Sequence, residues 1–125
     1  MKLAIRILAA LPALLFLFMA LQWLFDPGAA AAGLGMSLLP PSEASTQIGD
    51  IGALFLAVAG MGAFAQLPGK AGWFYPPAWL LLGTAAMRSG AWLTGHASFA
   101  VQPIVMEIAI AAVFVAAART LGKDQ

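Results

Sequence analysis

The sequence predicts an all-α integral membrane protein, a single four-helix bundle over residues 1–125 with its N- and C-termini in the cytoplasm. Three observations predict it. The chain is 62% hydrophobic and 9% charged, with a mean hydropathy of +0.93, against about 45–50% apolar and 25% charged for a soluble domain. Its apolar residues form four long runs separated by Pro/Gly-rich breaks. Spans of about 20 residues then leave only short connections and no room for a second domain. The lysines and arginines outside those runs fall in alternate connections, as the positive-inside rule requires.

The first run extends from about Leu3 to Phe25 and stops at Asp26-Pro27-Gly28, a turn former, a helix breaker and a permissive glycine. The segment from Gly28 to Leu39, rich in Ala, Gly and Leu, reads as a short interfacial helix or re-entrant turn. The second run, about Ile48 to Leu67, follows Pro40-Pro41-Ser42 and stops at Pro68-Gly69. The third, about Phe74 to Leu93, carries Pro76 and Pro77 in its first turn, where a missing N–H does little harm. The fourth, about Val101 to Leu121, carries Pro103 in its first turn. Helices satisfy their own backbone, as a bilayer demands, and no run shows the two-residue alternation of a barrel strand.

Lys2 and Arg6 precede the first span, Lys70 lies between the second and third, and Arg119 and Lys123 lie at the end of the fourth. The connections 26–47 and 94–100 contain neither Lys nor Arg. Four spans therefore place every extramembrane cation on the cytoplasmic side, with Trp73, Tyr75 and Trp79 near the inner boundary and Trp23 and Trp92 near the outer one. A rival reading takes Met1 to Phe25 as a secretory signal with Ala29 to Ala32 as its cleavage region. Its apolar run exceeds the usual 7–15-residue signal core, and further spans follow.

Arg88 stands inside the third apolar run. A cation at the centre of a membrane helix costs roughly 2.5–3.5 kcal/mol on insertion scales, so it turns toward protein or water. Asp50 and Glu107 are the carboxylates that could meet it. The predicted orientation puts Asp50 in the first turn of the second span, Arg88 about 8 Å below the outer end of the third, and Glu107 about 9 Å deep in the fourth. All three then share the outer third of the membrane as a cluster of formal charge −1, able to take a proton, coordinate a cation, bind a cationic or hydrogen-bonding ligand or only fix helix pairing. Asp50 could instead cap its helix or lie in solvent. Gln22 and Asp26 end the first span at the same level and could extend the site. Ala53, Ala57 and Gly60 follow Asp50 at helical spacing, a face for close packing or a cavity.

Other residues carry less. His96 sits in an outer loop, and Gln47, Gln66 and Gln102 at span ends are expected to meet water. The six methionines are scattered as core filler. Absence of cysteine removes disulfides, thiol redox pairs and thiolate metal sites. No phosphate loop, nucleophile elbow or HExxH sequence occurs, so neither enzyme chemistry, nor a metal, nor a cofactor is expected. A net charge of +1 with no basic run argues against nucleic acid.

The four-span layout, with Ile48-Gly49-Asp50-Ile51-Gly52 opening the second span, Met87-Arg88-Ser89-Gly90 in the third and Glu107 in the fourth, resembles the small bacterial membrane proteins of the DoxX-like group. It is more similar still to the family called domain of unknown function 4345. The resemblance implies a multi-pass protein of the bacterial inner membrane with no assigned activity, in a group some of whose members accompany quinone- or thiol-oxidising systems beside partner subunits. Two functions follow as expectations. One is a non-catalytic subunit or small-ligand protein binding a quinone or lipid headgroup at Asp50, Arg88 and Glu107, with a membrane protein partner or as a homo-oligomer. The other is a small transporter or proton relay in which Glu107 changes protonation while Arg88 balances charge, with Gln66 and Thr84 as its inner steps.

Overall fold

A computed structural model describes residues 1–123, and among them it is helical without strands. The α-helices are α1 (Lys2–Phe25), α2 (Pro27–Gly33), α3 (Pro41–Phe64), α4 (Tyr75–Leu93) and α5 (Val101–Gly122), with a 3-10 turn at Ala71–Phe74 before α4. Among the described residues α1, α3 and α5 are long and apolar enough to cross a membrane. Only 17%, 28% and 28% of their most apolar windows are buried, so most of their apolar side chains face outward, as on helices whose solvent is lipid. α4, at 19 residues, falls outside that set. Arg88, Ser89, Thr84 and the leading prolines lower its hydropathy.

Two boundaries differ from expectation. α3 opens at Pro41 instead of near Ile48, because proline at a first helical position forfeits only an N–H with no intrahelical partner. Pro40 serves as the start, its carbonyl accepting from Glu43 and Ala44 N–H at 2.9 and 2.8 Å, and Glu43 complements the helix dipole from the first turn. At its other end α3 stops at Phe64 instead of Leu67, and tighter turns carry the chain on to Pro68. The expected short helix after Asp26 is α2, while Pro12 sits inside α1, where it removes one backbone bond.

The chain divides into two compact units, Leu11–Gly60 and Met1–Ala10 together with the residues from Met61 onward. In the first, α1 meets α3 through Phe16 and Phe55, whose ring centroids are 5.4 Å apart, and through Gly52, where an added Cβ would lie 3.6 Å from Trp23 Cβ. Trp23 is 1% exposed. The small-residue face expected at Ala53, Ala57 and Gly60 is not the one used, for Ala53 and Gly60 are exposed and Ala57 is half-buried. Phe55 and Trp23 need a partner surface one position away.

In the second unit α4 packs along α5, and the 3-10 turn is fastened to α5 by Phe74 stacked on Phe114 at 5.6 Å. The buried seam of α5 is Ile104, Glu107, Ala111, Phe114, Ala118 and Leu121, spaced alternately three and four residues apart. α4 ends in a Schellman motif, with His96 N–H donating to Ala91 O and Gly95 N–H to Trp92 O. Gly95 holds φ +77°, a conformation that L side chains resist.

Candidate functional site

On α4 the buried positions Ala78, Leu81 and Ala85 recur three and four residues apart, and Arg88 is the next position of that series. On α5, Glu107 occupies the seam itself and is 9% exposed. Arg88 lies five residues before the end of α4 and Glu107 six after the start of α5, so the reversal at Gly95 brings them to one level. The Arg88 Nε–H donates to Glu107 Oε1 at 2.8 Å. The two side chains are unequally covered, at 40% exposed for Arg88 and 12% for Glu107.

The pair is incompletely satisfied. Glu107 Oε2 is the buried side-chain oxygen left without a hydrogen-bond partner among the described residues. Nε is the atom engaged, and among the described residues the terminal guanidinium nitrogens, which carry four N–H donors on the more exposed side chain, have no hydrogen-bond partner. The site therefore offers a fork of donors next to an under-used acceptor. Neighbouring hydroxyls do not fill it, since Ser89 Oγ donates to Ala85 O at 2.9 Å and Thr84 Oγ1 to Leu80 O at 2.8 Å.

Asp50 belongs to the other unit, where it is exposed at the rim of a pocket of about 780 Å³. The early start of α3 puts it in the third turn, not the first, which removes the capping role considered for it. Glu43, Thr46 and Asp50, at spacings of three and four, line this pocket from α3, and Met36, Ser37 and Leu39 line it from the preceding loop.

Gln47 builds that loop wall. Its Oε1 accepts from Leu39 N–H at 2.9 Å and its amide donates to Ser37 O at 3.0 Å, with Met36 Sδ at 3.7 Å. Expected to meet water, Gln47 is instead 7% exposed, because its amide answers the backbone of a segment with no secondary structure. Gln66 differs likewise. Its amide donates to Arg6 O at 2.9 Å, while Arg6 Nη1 donates to Gln66 O at 2.6 Å.

Of the two residues held as extensions, Asp26 caps α2, accepting from Ala29 N–H at 3.3 Å, and Gln22 is half-buried on α1. His96 is exposed in its loop, Nδ1 lying 2.9 Å from Thr94 Oγ1. Sequence reasoning missed Glu43 as a companion of Asp50. Starting the helix at Pro41 would have shown the polar stripe Glu43, Thr46, Gln47, Asp50.

No family model, curated protein or solved structure matches the chain. The likeness noted above rests on the apolar layout and on Ile48 to Gly52, Met87 to Gly90 and Glu107.

Proposed function

We propose that this chain is a non-catalytic, multi-pass protein of the bacterial inner membrane that binds the polar head of a quinone- or lipid-like amphiphile at Arg88 and Glu107, as a homo-oligomer or beside a membrane partner. The observation that carries the reading is the Arg88–Glu107 bond through Nε, which fixes the guanidinium yet leaves its terminal donors open. Four N–H groups without a partner among the described residues, on a membrane helix, need oxygen acceptors, and a headgroup supplies them. Asp50, in its own pocket, is not needed for this reading.

The bundle we propose has four spans with both termini cytoplasmic. α4 supports it as the fourth span. Its 19 residues extend about 28 Å, close to the hydrocarbon thickness, and it packs along α5 after a seven-residue connection. The cations at Lys2, Lys70 and Lys123 then share one side. A proton-relay reading needs inner polar steps, and its candidates are engaged locally, the Gln66 amide with Arg6 O and the Thr84 hydroxyl with Leu80 O.

The test is saturable binding of a decyl-benzoquinone and of phosphatidylglycerol to detergent-purified protein, read by native mass spectrometry. Arg88→Lys retains the charge but loses the planar fork, so at least one adduct should weaken about tenfold or more, while Arg119→Lys at the far end of α5 leaves it unchanged. Equal binding to all three proteins would remove Arg88 from the function.

A further inference from the structure

Resting on that reading, we infer that the headgroup bound at Arg88–Glu107 carries its own hydrogen-bond donor, an O–H set where its oxygen can also accept. The argument lies in what Glu107 lacks. An ionised carboxylate only accepts, with about four lone-pair positions, and Arg88 Nε occupies one. Oε2 is buried without a partner among the described residues, on a residue nine-tenths covered, so the group its surroundings call for is a donor.

Arg88 presents the opposite need, its terminal donors having no acceptor among the described residues. A ketone, ester or ether head answers Arg88 and leaves Oε2 unsatisfied. A hydroxyl answers both with one oxygen, accepting from a terminal N–H of Arg88 and donating to the carboxylate. A partial turn about the last side-chain bond of Glu107, a broad torsion, would bring the buried oxygen outward to that hydroxyl, whereas a full two-fold flip only exchanges the two oxygens. A hydrogen bond to a charged group contributes about 1.5–3 kcal/mol, which sets the expected discrimination at about 10- to 100-fold. Phenolic heads and the free glycerol hydroxyl of a lipid share this chemistry.

The experiment compares matched probes on the full chain in mild detergent: 4-octylphenol with 4-octylanisole, and dioctanoylglycerol with its O-methyl ether. The hydroxyl member of at least one pair should bind about tenfold tighter or better, and the pair showing the preference identifies the source. Glu107→Gln keeps the acceptor for Arg88 Nε and adds an amide donor, so the preference should vanish or invert. Hydroxyl and ether binding within threefold of each other, both weakened by Arg88→Lys, would overturn the inference while leaving amphiphile binding intact. A preference unchanged in Glu107→Gln would overturn it too, because shape and not the bond would then be selecting. If no probe binds saturably, the binding reading falls and the inference with it.

Discussion

A single hydrogen bond joins Arg88 to Glu107, and the asymmetry of their burial decides what each substitution does. Removing Arg88 strands a carboxylate that is 12% exposed. Loss of one partner from a fully buried pair costs about 3–5 kcal/mol, and the 40% exposure of Arg88 brings the expectation down to about 2 kcal/mol. Thermal unfolding in mild detergent should therefore show Arg88→Met clearly below wild type and Arg88→Met/Glu107→Gln recovering most of the loss. A double variant as unstable as the single would mean that the two charges are not each other's main support. Gln47 is the second residue whose neighbours predict an effect. Gln47→Ala leaves the Leu39 N–H and Ser37 O without their partner and should cost about 1–3 kcal/mol. Hydrogen exchange at Leu39 should accelerate in that variant, and unchanged protection there would refute the clamp.

At the scale of elements, the reversal between α4 and α5 determines which residues meet. Gly95 at φ +77° closes the Schellman motif that brings Arg88 and Glu107 to one level. Gly95→Ala forces a Cβ into the left-handed region at about 1–2 kcal/mol, whereas Gly95→Asn should lose less, since Asn tolerates that region better. Melting temperatures ordered wild type, Asn, Ala would bear this out, and an Ala variant equal to wild type would not. Element boundaries explain much of what the sequence left obscure. A Pro-Pro-Ser string reads equally as a break or as a helix start, and the choice depends on whether the Pro40 carbonyl accepts from Ala44 N–H, which it does at 2.8 Å. The seven-residue shift moved Asp50 from the first turn to the third and hid the stripe it forms with Glu43 and Thr46.

For the whole molecule, sidedness tests whether α4 crosses a bilayer together with α1, α3 and α5, the described helices long and apolar enough to do so. The chain has no cysteine, so single cysteines can report sidedness without background. Four spans place Ser37→Cys and His96→Cys where an impermeant maleimide labels intact spheroplasts, with Lys70→Cys and Lys123→Cys labelled only after permeabilisation. Were α4 to stay on one side, His96→Cys would label with Lys70→Cys, and Lys123→Cys would move to the opposite side. The positive-inside pattern and the packing of α4 on α5 favour the first outcome.

Composition and the spacing of breaks determined the class of this protein: helical, with helices long and apolar enough for a membrane, ending near Asp26, Leu93 and Gly122. Those properties follow from hydropathy and from the local chemistry of Pro, Gly and Asp, which act within a few residues. Sequence also singled out Arg88 and Glu107, because a charge in an apolar run is conspicuous wherever it folds. Only the tertiary structure decided that Arg88 binds through Nε, that Glu107 Oε2 is left over, that Gln47 ties down a loop and that Gly52 instead of Ala53 meets Trp23. Those outcomes depend on rotation of one helix about its axis by a single position and on which atom of a side chain arrives first. Residue spacing along one chain carries neither.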